Sequence, residues 1–250
     1  KTPAQNVVDE IVADGGEAVV NGDDVSSWNG AKNMIDQTLE TYGKLDVLIN
    51  NAGILRDRML VNMTEEEWDS VIQVHLKGTF APSRHAAAYW RGVSKEIDGP
   101  VDGRIINTTS TSGIYGNLGQ TNYGAAKAGI AAFTVIAARE LRRIGVTVNA
   151  ISPSAYTRMT DSLREYTEEE IEWRAPSWVA PAVVYLASAE AHDLSGRVIQ
   201  AGGGMVAVCE GWRRGAEIEQ IADPSELGAH LREMCEKVRK NSGMDGMELD

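Results

Sequence analysis

The sequence predicts an α/β fold, a parallel sheet covered by helices, on three observations. Short β-branched runs alternate with longer stretches of helical periodicity. Recognisable helix starts and stops fall between them. The chain has 250 residues, 43% apolar and 24% charged, an ordinary size and composition for a single globular α/β domain. No internal repeat interrupts the alternation.

Pro3 to Ala13 reads as a helix with Val7, Val8 and Ile11 on one side. A short strand, Glu17 to Asn21, runs into Gly22-Asp23-Asp24. Ser26 or Ser27 then caps a helix that carries Ala31, Ile35 and Leu39 inward and stops at Gly43. Lys44 to Asn50 is an apolar, buried strand that breaks into the turn Asn50-Asn51-Ala52-Gly53. Thr64 and Glu67 form a capping box, and Trp68, Val71, Ile72, His75, Leu76 and Phe80 follow at helical spacing. Arg104 to Thr109 is the next strand, followed by a loop with Gly113, Gly116 and Gly119 and an alanine-rich helix from about Gln120 to Arg143. Val146 to Ile151 is a strand, Pro181 opens a helix through Leu186, and Arg197 to Gln200 is the fifth strand. Residues 1–204 thus form one domain. Residues 205–250 read as an acidic, loop-like extension with one amphipathic helix, Ser225 to Val238, and a terminal stretch from Asn241 to Asp250 expected to fray.

Composition excludes several classes of function. A net charge of −12 with scattered basic residues works against nucleic acid as a partner. No apolar run approaches the roughly 20 residues of a membrane span, and the first residues show no signal-peptide pattern. Cys209 and Cys235 have neither a disulfide framework around them nor metal-site spacing, so no metal is expected. A reduced, cytoplasmic compartment is the natural reading.

The strongest chemical signal is Tyr123-Gly-Ala-Ala-Lys127, because side chains at i and i+4 share one helix face. A phenol titrates near pH 10. An ammonium beside it would draw it toward neutrality and into proton-transfer range. The same spacing also suits a surface lysine beside a half-buried tyrosine. The hydroxyl-rich end Thr108-Thr109-Ser110 favours the chemical reading, since it follows a buried strand and places Ser110 at the carboxyl edge of the sheet, where open α/β folds hold ligands.

With Ser110, Tyr123 and Lys127 in that order, the chain resembles the short-chain dehydrogenase/reductase family, and other stretches from about Pro3 to Gly204 match it in sequence. The resemblance implies a doubly wound Rossmann-type sheet and NAD or NADP as cofactor. It implies that Asn51, Ala52 and Gly53 line the adenosine side, that Asp24 and Val25 meet the adenine, and that Pro153 and Thr157 stand near the nicotinamide, with Tyr123 and Lys127 also on the cofactor. Asn51-Ala52-Gly53-Ile54-Leu55-Arg56-Asp57-Arg58, Val74-His75-Leu76-Lys77-Gly78 and Ser112-Gly113-Ile114-Tyr115-Gly116-Asn117 are most similar to the (3R)-hydroxyacyl-CoA dehydrogenase units of multifunctional β-oxidation enzymes. His75 stands where most relatives carry an asparagine of a proton relay; it is either a relay residue or a hydrogen-bonded core histidine.

The glycine-rich fingerprint of the family's first βαβ unit is expected ahead of the first helix and does not stand there, so the sequence predicts an amino-terminally truncated sheet lacking that unit. Gly202-Gly203-Gly204 reads as a turn, since no helix follows it at once. The expected activity is interconversion of a secondary alcohol and a ketone, favouring a 3-hydroxyacyl thioester, with Arg56, Arg58 and Lys77 expected to attract a polyanionic carrier such as coenzyme A. The rivals are a reductase of steroids, terpenoids or acyl-carrier-protein thioesters, and a silent scaffold subunit. A homodimer or homotetramer is expected, paired through the helices beginning at Thr64 and Gln120, with Phe133 a candidate contact.

Overall fold

The computed structural model describes residues 1–157 and 166–248. In chain order the elements are α1 (Pro3–Ala13), α2 (Trp28–Tyr42), β1 (Val47–Asn50), α3 (Glu65–Ile72), α4 (Gly78–Glu96), β2 (Gly103–Thr108) and α5 (Thr111–Ile114). They continue with α6 (Thr121–Leu141), β3 (Val146–Pro153), α7 (Glu168–Trp173), α8 (Ala180–Ala187), β4 (Val198–Gly202), β5 (Met205–Cys209) and α9 (Pro224–Glu236). The strands form one sheet in the order β1-β2-β3-β4-β5. The first four are parallel, and β5 returns antiparallel on β4.

Helices cover both faces of the sheet. Ala86 and Trp90 of α4 and Ala137 and Ala138 of α6 pack with Ile105, Val146 and Val148 in one core cluster. Trp90 Nε1 donates to the Leu45 carbonyl at 2.7 Å, which satisfies the polar edge of a buried indole. Side chains alternate along a strand. Arg104, next to Ile105, accordingly reaches the opposite face and donates through Nε to the carbonyl of Ser188, at the end of α8. The α/β, doubly wound class is thereby established.

Local signals placed most helices where the sequence put them. Ser27 Oγ accepts from Gly30 N at the start of α2, and Thr64 with Glu67 forms the reciprocal capping box of α3. Between α3 and α4 the helix passes through a π-helical segment, Gln73–Lys77, which carries His75. Such segments recur at functional sites.

Several expectations are corrected. Glu17 to Asn21 forms no strand, because no ladder partner lies beside it among the described residues. Gln37 Nε2 instead binds the Val20 carbonyl at 3.2 Å. β1 is not a buried strand: one of its edges pairs with no strand among the described residues, and Ile49 is 49% exposed. The sheet's fifth strand is Met205–Cys209, which the sequence assigned to the loop-like extension; Gly202, Gly203 and Gly204, all at positive φ, make the hairpin turn between it and β4. Residues near the carboxyl terminus fold into a turn in which Gly243 N donates to Met247 O at 2.7 Å, so the described part of that stretch is ordered by its own backbone bonds. Phe133 packs against the core cluster, and on the same helix it is Val135 and Ile136 that remain exposed. Among the described residues, no helix is long and apolar enough to cross a membrane.

Candidate active site

The parallel register brings the carboxyl ends of β1, β2 and β3 to one edge, with Asn50 opposite Asn107 and Thr108 opposite Ile151. Beneath that edge the buried Asn50 Nδ2 donates to Ser83 Oγ and Asn107 Oδ1, both at 2.9 Å. Asn107 Nδ2 in turn donates to Thr134 Oγ1 at 2.9 Å. This satisfied polar chain ties β1, β2, α4 and α6 together below the site.

Ser110 leaves β2 in extended conformation and caps α5, its Oγ accepting from Ser112 N at 3.2 Å. The same hydroxyl lies near enough to the phenol of Tyr123 to pull its pKa downward. One turn further along α6, Lys127 is 3% exposed, and its Nζ donates to the Thr108 carbonyl at 2.6 Å. Thr109 Oγ1 donates to the Lys127 carbonyl at 2.7 Å, so the end of β2 and α6 are stitched in both directions.

His75 completes the cluster, its ring meeting that of Tyr123 edge-on at 5.1 Å between centroids. Its Nε2 lies 2.7 Å from the Ile54 carbonyl and 3.0 Å from the Ile54 N–H, while its buried Nδ1 has no hydrogen-bond partner. Gly53 makes room for this ring: a Cβ there would stand 2.4 Å from His75 Cε1. Residues of the β1 turn and the α3–α4 junction are thus fitted to each other.

Burial dominates the electrostatics. It lowers Lys127 to about 8. It also lowers His75 to about 4, helped by the charge of Lys127 and opposed by the bond to Ile54. The sequence argument expected Lys127 to lower the Tyr123 phenol, and this is corrected. Burial raises Tyr123 and the charge of Asp57 adds to it, against the pull of the Ser110 hydrogen bond. Lys127 does not offset that burial because its ammonium is directed at the Thr108 carbonyl and lies 5.5 Å from the centre of the tyrosine ring. The phenol is therefore held neutral.

A cavity of about 230 Å³ lies at the other end of the carboxyl edge, with Val25, Met34, Ile49, Asn51, Ala52 and Thr79 among its walls. Asn51 Oδ1 accepts from Thr108 Oγ1 at 3.1 Å, connecting this wall to the end of β2. The carboxylate of Asp24 accepts from Ser26 N and Ser26 Oγ at 2.8 Å; those bonds, with the charge of Lys77, hold it below the usual carboxylate range. Pro153 ends β3 two residues past Ile151, on the same edge, and Thr157 is exposed just beyond it.

Of the basic residues expected near a substrate, Arg58 donates through Nε and Nη2 to Glu67, and Lys77 acts on Asp24 at the cavity end. Arg56 remains exposed, its guanidinium donating to the Leu55 carbonyl at 2.7 Å. Sequence reasoning missed Asp57, Gln120 and Asn122, which surround Tyr123. Asn122 Nδ2 donates to the Arg56 and Glu67 carbonyls, and Asn122 Oδ1 accepts from Tyr123 N. The only signal in the sequence was a run of amide side chains just ahead of the tyrosine.

The residues present fit a nicotinamide dinucleotide at both of its ends. An apolar cavity floored by small residues suits adenosine, and a buried ammonium beside a neutral phenol and a hydroxyl suits a ribose next to a carbonyl. Fold and site define a nicotinamide-dependent oxidoreductase built on an open parallel sheet. A family model described as short chain dehydrogenase matches residues 1–170, and the chain belongs to that family. It is 43% identical over 242 residues to the hydroxyacyl-CoA dehydrogenase ChsB1 of Mycobacterium tuberculosis, spanning 92% of this chain and 76% of that protein. It is 39% identical over 222 residues to the peroxisomal hydratase-dehydrogenase-epimerase of Neurospora crassa, 89% of this chain but 23% of that longer protein. The crystal structure of a short chain dehydrogenase from Mycobacterium avium superposes with a TM-score of 0.86 at 51% identity, over 95% of this chain and 80% of that one.

Proposed function

We propose that the protein interconverts a 3-hydroxyacyl thioester, with acyl-CoA as the favoured carrier, and the corresponding 3-oxoacyl thioester. The observation that carries this reading is the junction of Ser110, Tyr123 and Lys127 at the carboxyl edge of the sheet. The similarity to the hydroxyacyl-CoA dehydrogenase ChsB1 supports the thioester class.

When bound, NAD or NADP supplies the hydride acceptor or donor. Asp24, Val25, Asn51, Ala52 and Gly53 hold its adenosine side, and Pro153 and Thr157 its nicotinamide end. Lys127 reaches the ribose from its anchor on Thr108. Ser110 Oγ hydrogen-bonds the substrate oxygen and aligns it with Tyr123. Tyr123 Oη gives its proton to that oxygen in reduction and receives it in oxidation. Because burial raises the phenol, reduction starts from its neutral form, and oxidation gains from rising pH. His75 packs edge-on against the tyrosine ring and holds it in place.

The proposed assembly is a homodimer or homotetramer in the cytoplasm, formed through exposed apolar positions such as Phe80 of α4 and Val135 and Ile136 of α6. The test of function is turnover of 3-hydroxyacyl-CoA, 3-hydroxyacyl carrier-protein thioesters and hydroxysteroids with each dinucleotide. The reading requires the CoA thioester to give the highest kcat/KM. A steroid preference, or no turnover of any thioester, would overturn it.

A further inference from the structure

Beside Tyr123, one buried carboxamide joins three segments of chain. Gln120 is 8% exposed and sits just before α6, with its backbone outside the helical region. Its Oε1 accepts from Ser112 Oγ at 2.8 Å and from Asn117 Nδ2 at 3.0 Å. Its Nε2 donates to Asp57 Oδ2 at 2.7 Å. The Asp57 carboxylate, which only accepts, fixes which side of the carboxamide is nitrogen, and the oxygen then faces Ser112 and Asn117. The main chain repeats the join: Arg58 N donates to Gly119 O at 2.7 Å.

The segments so joined carry the site. The turn holding Asp57 also supplies the Ile54 carbonyl to His75 and the Arg56 carbonyl to Asn122. The segment holding Ser112 begins at Ser110, and α6 carries Tyr123 three residues after Gln120. A shift of the Asp57 turn against the 111–119 segment would therefore move the hydroxyl and the phenol relative to each other. Nothing in this cluster lines the cavity that Val25 and Ala52 line.

We propose that Gln120 and Asp57 are positioning residues: their hydrogen bond clamps the turn after β1 to the segment between β2 and α6 and thereby holds Ser110 and Tyr123 in mutual register. The proposal rests on the reading of Tyr123 as the proton-transfer group. The polarity of the bond gives a donor–acceptor swap as its test. Gln120→Glu sets a carboxylate against the carboxylate of Asp57, a like-charge contact without a donor. Asp57→Asn alone keeps an oxygen that can accept from Gln120. In the double variant Gln120→Glu/Asp57→Asn, the new amide donates to the new carboxylate, and the clamp is rebuilt in the opposite sense.

In the full-length enzyme, Gln120→Glu is expected to lower kcat by about 10²-fold, the effect of an ångström-scale misplacement. The dinucleotide KM should stay within about twofold, because the cavity wall is untouched. Adding Asp57→Asn should return most of the lost kcat. Amide hydrogen exchange across residues 111–119 provides a second arm independent of turnover, rising in Gln120→Glu and falling back in the double variant. A Gln120→Glu enzyme with near-normal kcat, or a double variant no better than the single one, would overturn the proposal, as would exchange that does not change. If the unaltered enzyme turns over no alcohol, the functional reading fails separately, and the exchange arm still decides whether the clamp exists.

Discussion

Replacing Gly53 with alanine probes how the turn after β1 and His75 are fitted together. Gly53 has no left-handed backbone requirement, so an alanine there meets only a steric problem. Its Cβ would lie 2.4 Å from His75 Cε1 and 3.2 Å from Nδ1. The imidazole has little freedom to retreat: it is 2% exposed, bonded to Ile54 through Nε2 and packed edge-on against Tyr123. Overpacking of this kind costs about 1–3 kcal/mol, and losing the bond to Ile54 adds about 1 kcal/mol. The sum, about 2–4 kcal/mol, corresponds to a melting temperature lower by about 5–15 °C for a domain of this size. Thermal unfolding of Gly53→Ala, His75→Ala and the double variant checks the argument. With the ring gone, the added methyl has space and no bond to Ile54 remains to lose, so Gly53→Ala should be nearly neutral in the His75→Ala background, a coupling of about 2–4 kcal/mol. An unchanged melting temperature for the single variant, or an equal loss in both backgrounds, would refute the reasoning.

Three further outcomes follow from the same site. His75 titrates at about 4 in the fold against 6.5 free, so the unfolded chain binds its proton first, and stability should fall as pH drops from about 6.5 toward 4. His75→Asn should flatten that acid slope in urea titrations, and an identical slope would count against a buried neutral imidazole. Lys127 is at about 8 against 10.5 free, so stability should rise with pH from about 8 until the tyrosines begin to ionise near 10, and Lys127→Met should abolish the rise. Asn50→Ala strands the Oδ1 of Asn107 inside the protein and should destabilise it by about 1–3 kcal/mol by chemical denaturation, whereas a loss below about 0.5 kcal/mol would mean that the polar chain under the sheet is not needed.

Periodicity and caps were enough to place α1, α2, α3, α6 and the three strands that form the site's edge, because these depend on local patterns that the chain carries in full; the helix read from Thr64 was followed only to Phe80, near the start of α4. The strand expected at Glu17 to Asn21 failed because a strand is stabilised by its neighbours, and no neighbour lies there among the described residues. Met205–Cys209 was overlooked for the converse reason: three glycines and an acidic sequel hid a strand whose order comes from pairing with β4. The shared face of Tyr123 and Lys127 was legible because a helix fixes the i, i+4 geometry, and the end of a buried strand placed Ser110 at the same edge; spacing alone fitted a surface lysine equally well, and the family resemblance supplied the chemical reading. What spacing could not give was the direction of the lysine ammonium, which the Thr108 carbonyl determines, and with it the raised rather than lowered phenol. Nor could it show that Gly53 is matched to His75, or that Gln120 reaches Asp57, because these contacts join residues 22 and 63 positions apart.

The account rests on Tyr123 as the group that moves the substrate proton, and Tyr123→Phe tests it most directly because only the Oη is removed from a ring that His75 still packs against. Steady-state oxidation of a 3-hydroxyacyl-CoA should fall by about 10²-fold or more, with the melting temperature and the dinucleotide affinity, measured by calorimetry, unchanged. A Tyr123→Phe enzyme that retains near-normal kcat would contradict the account.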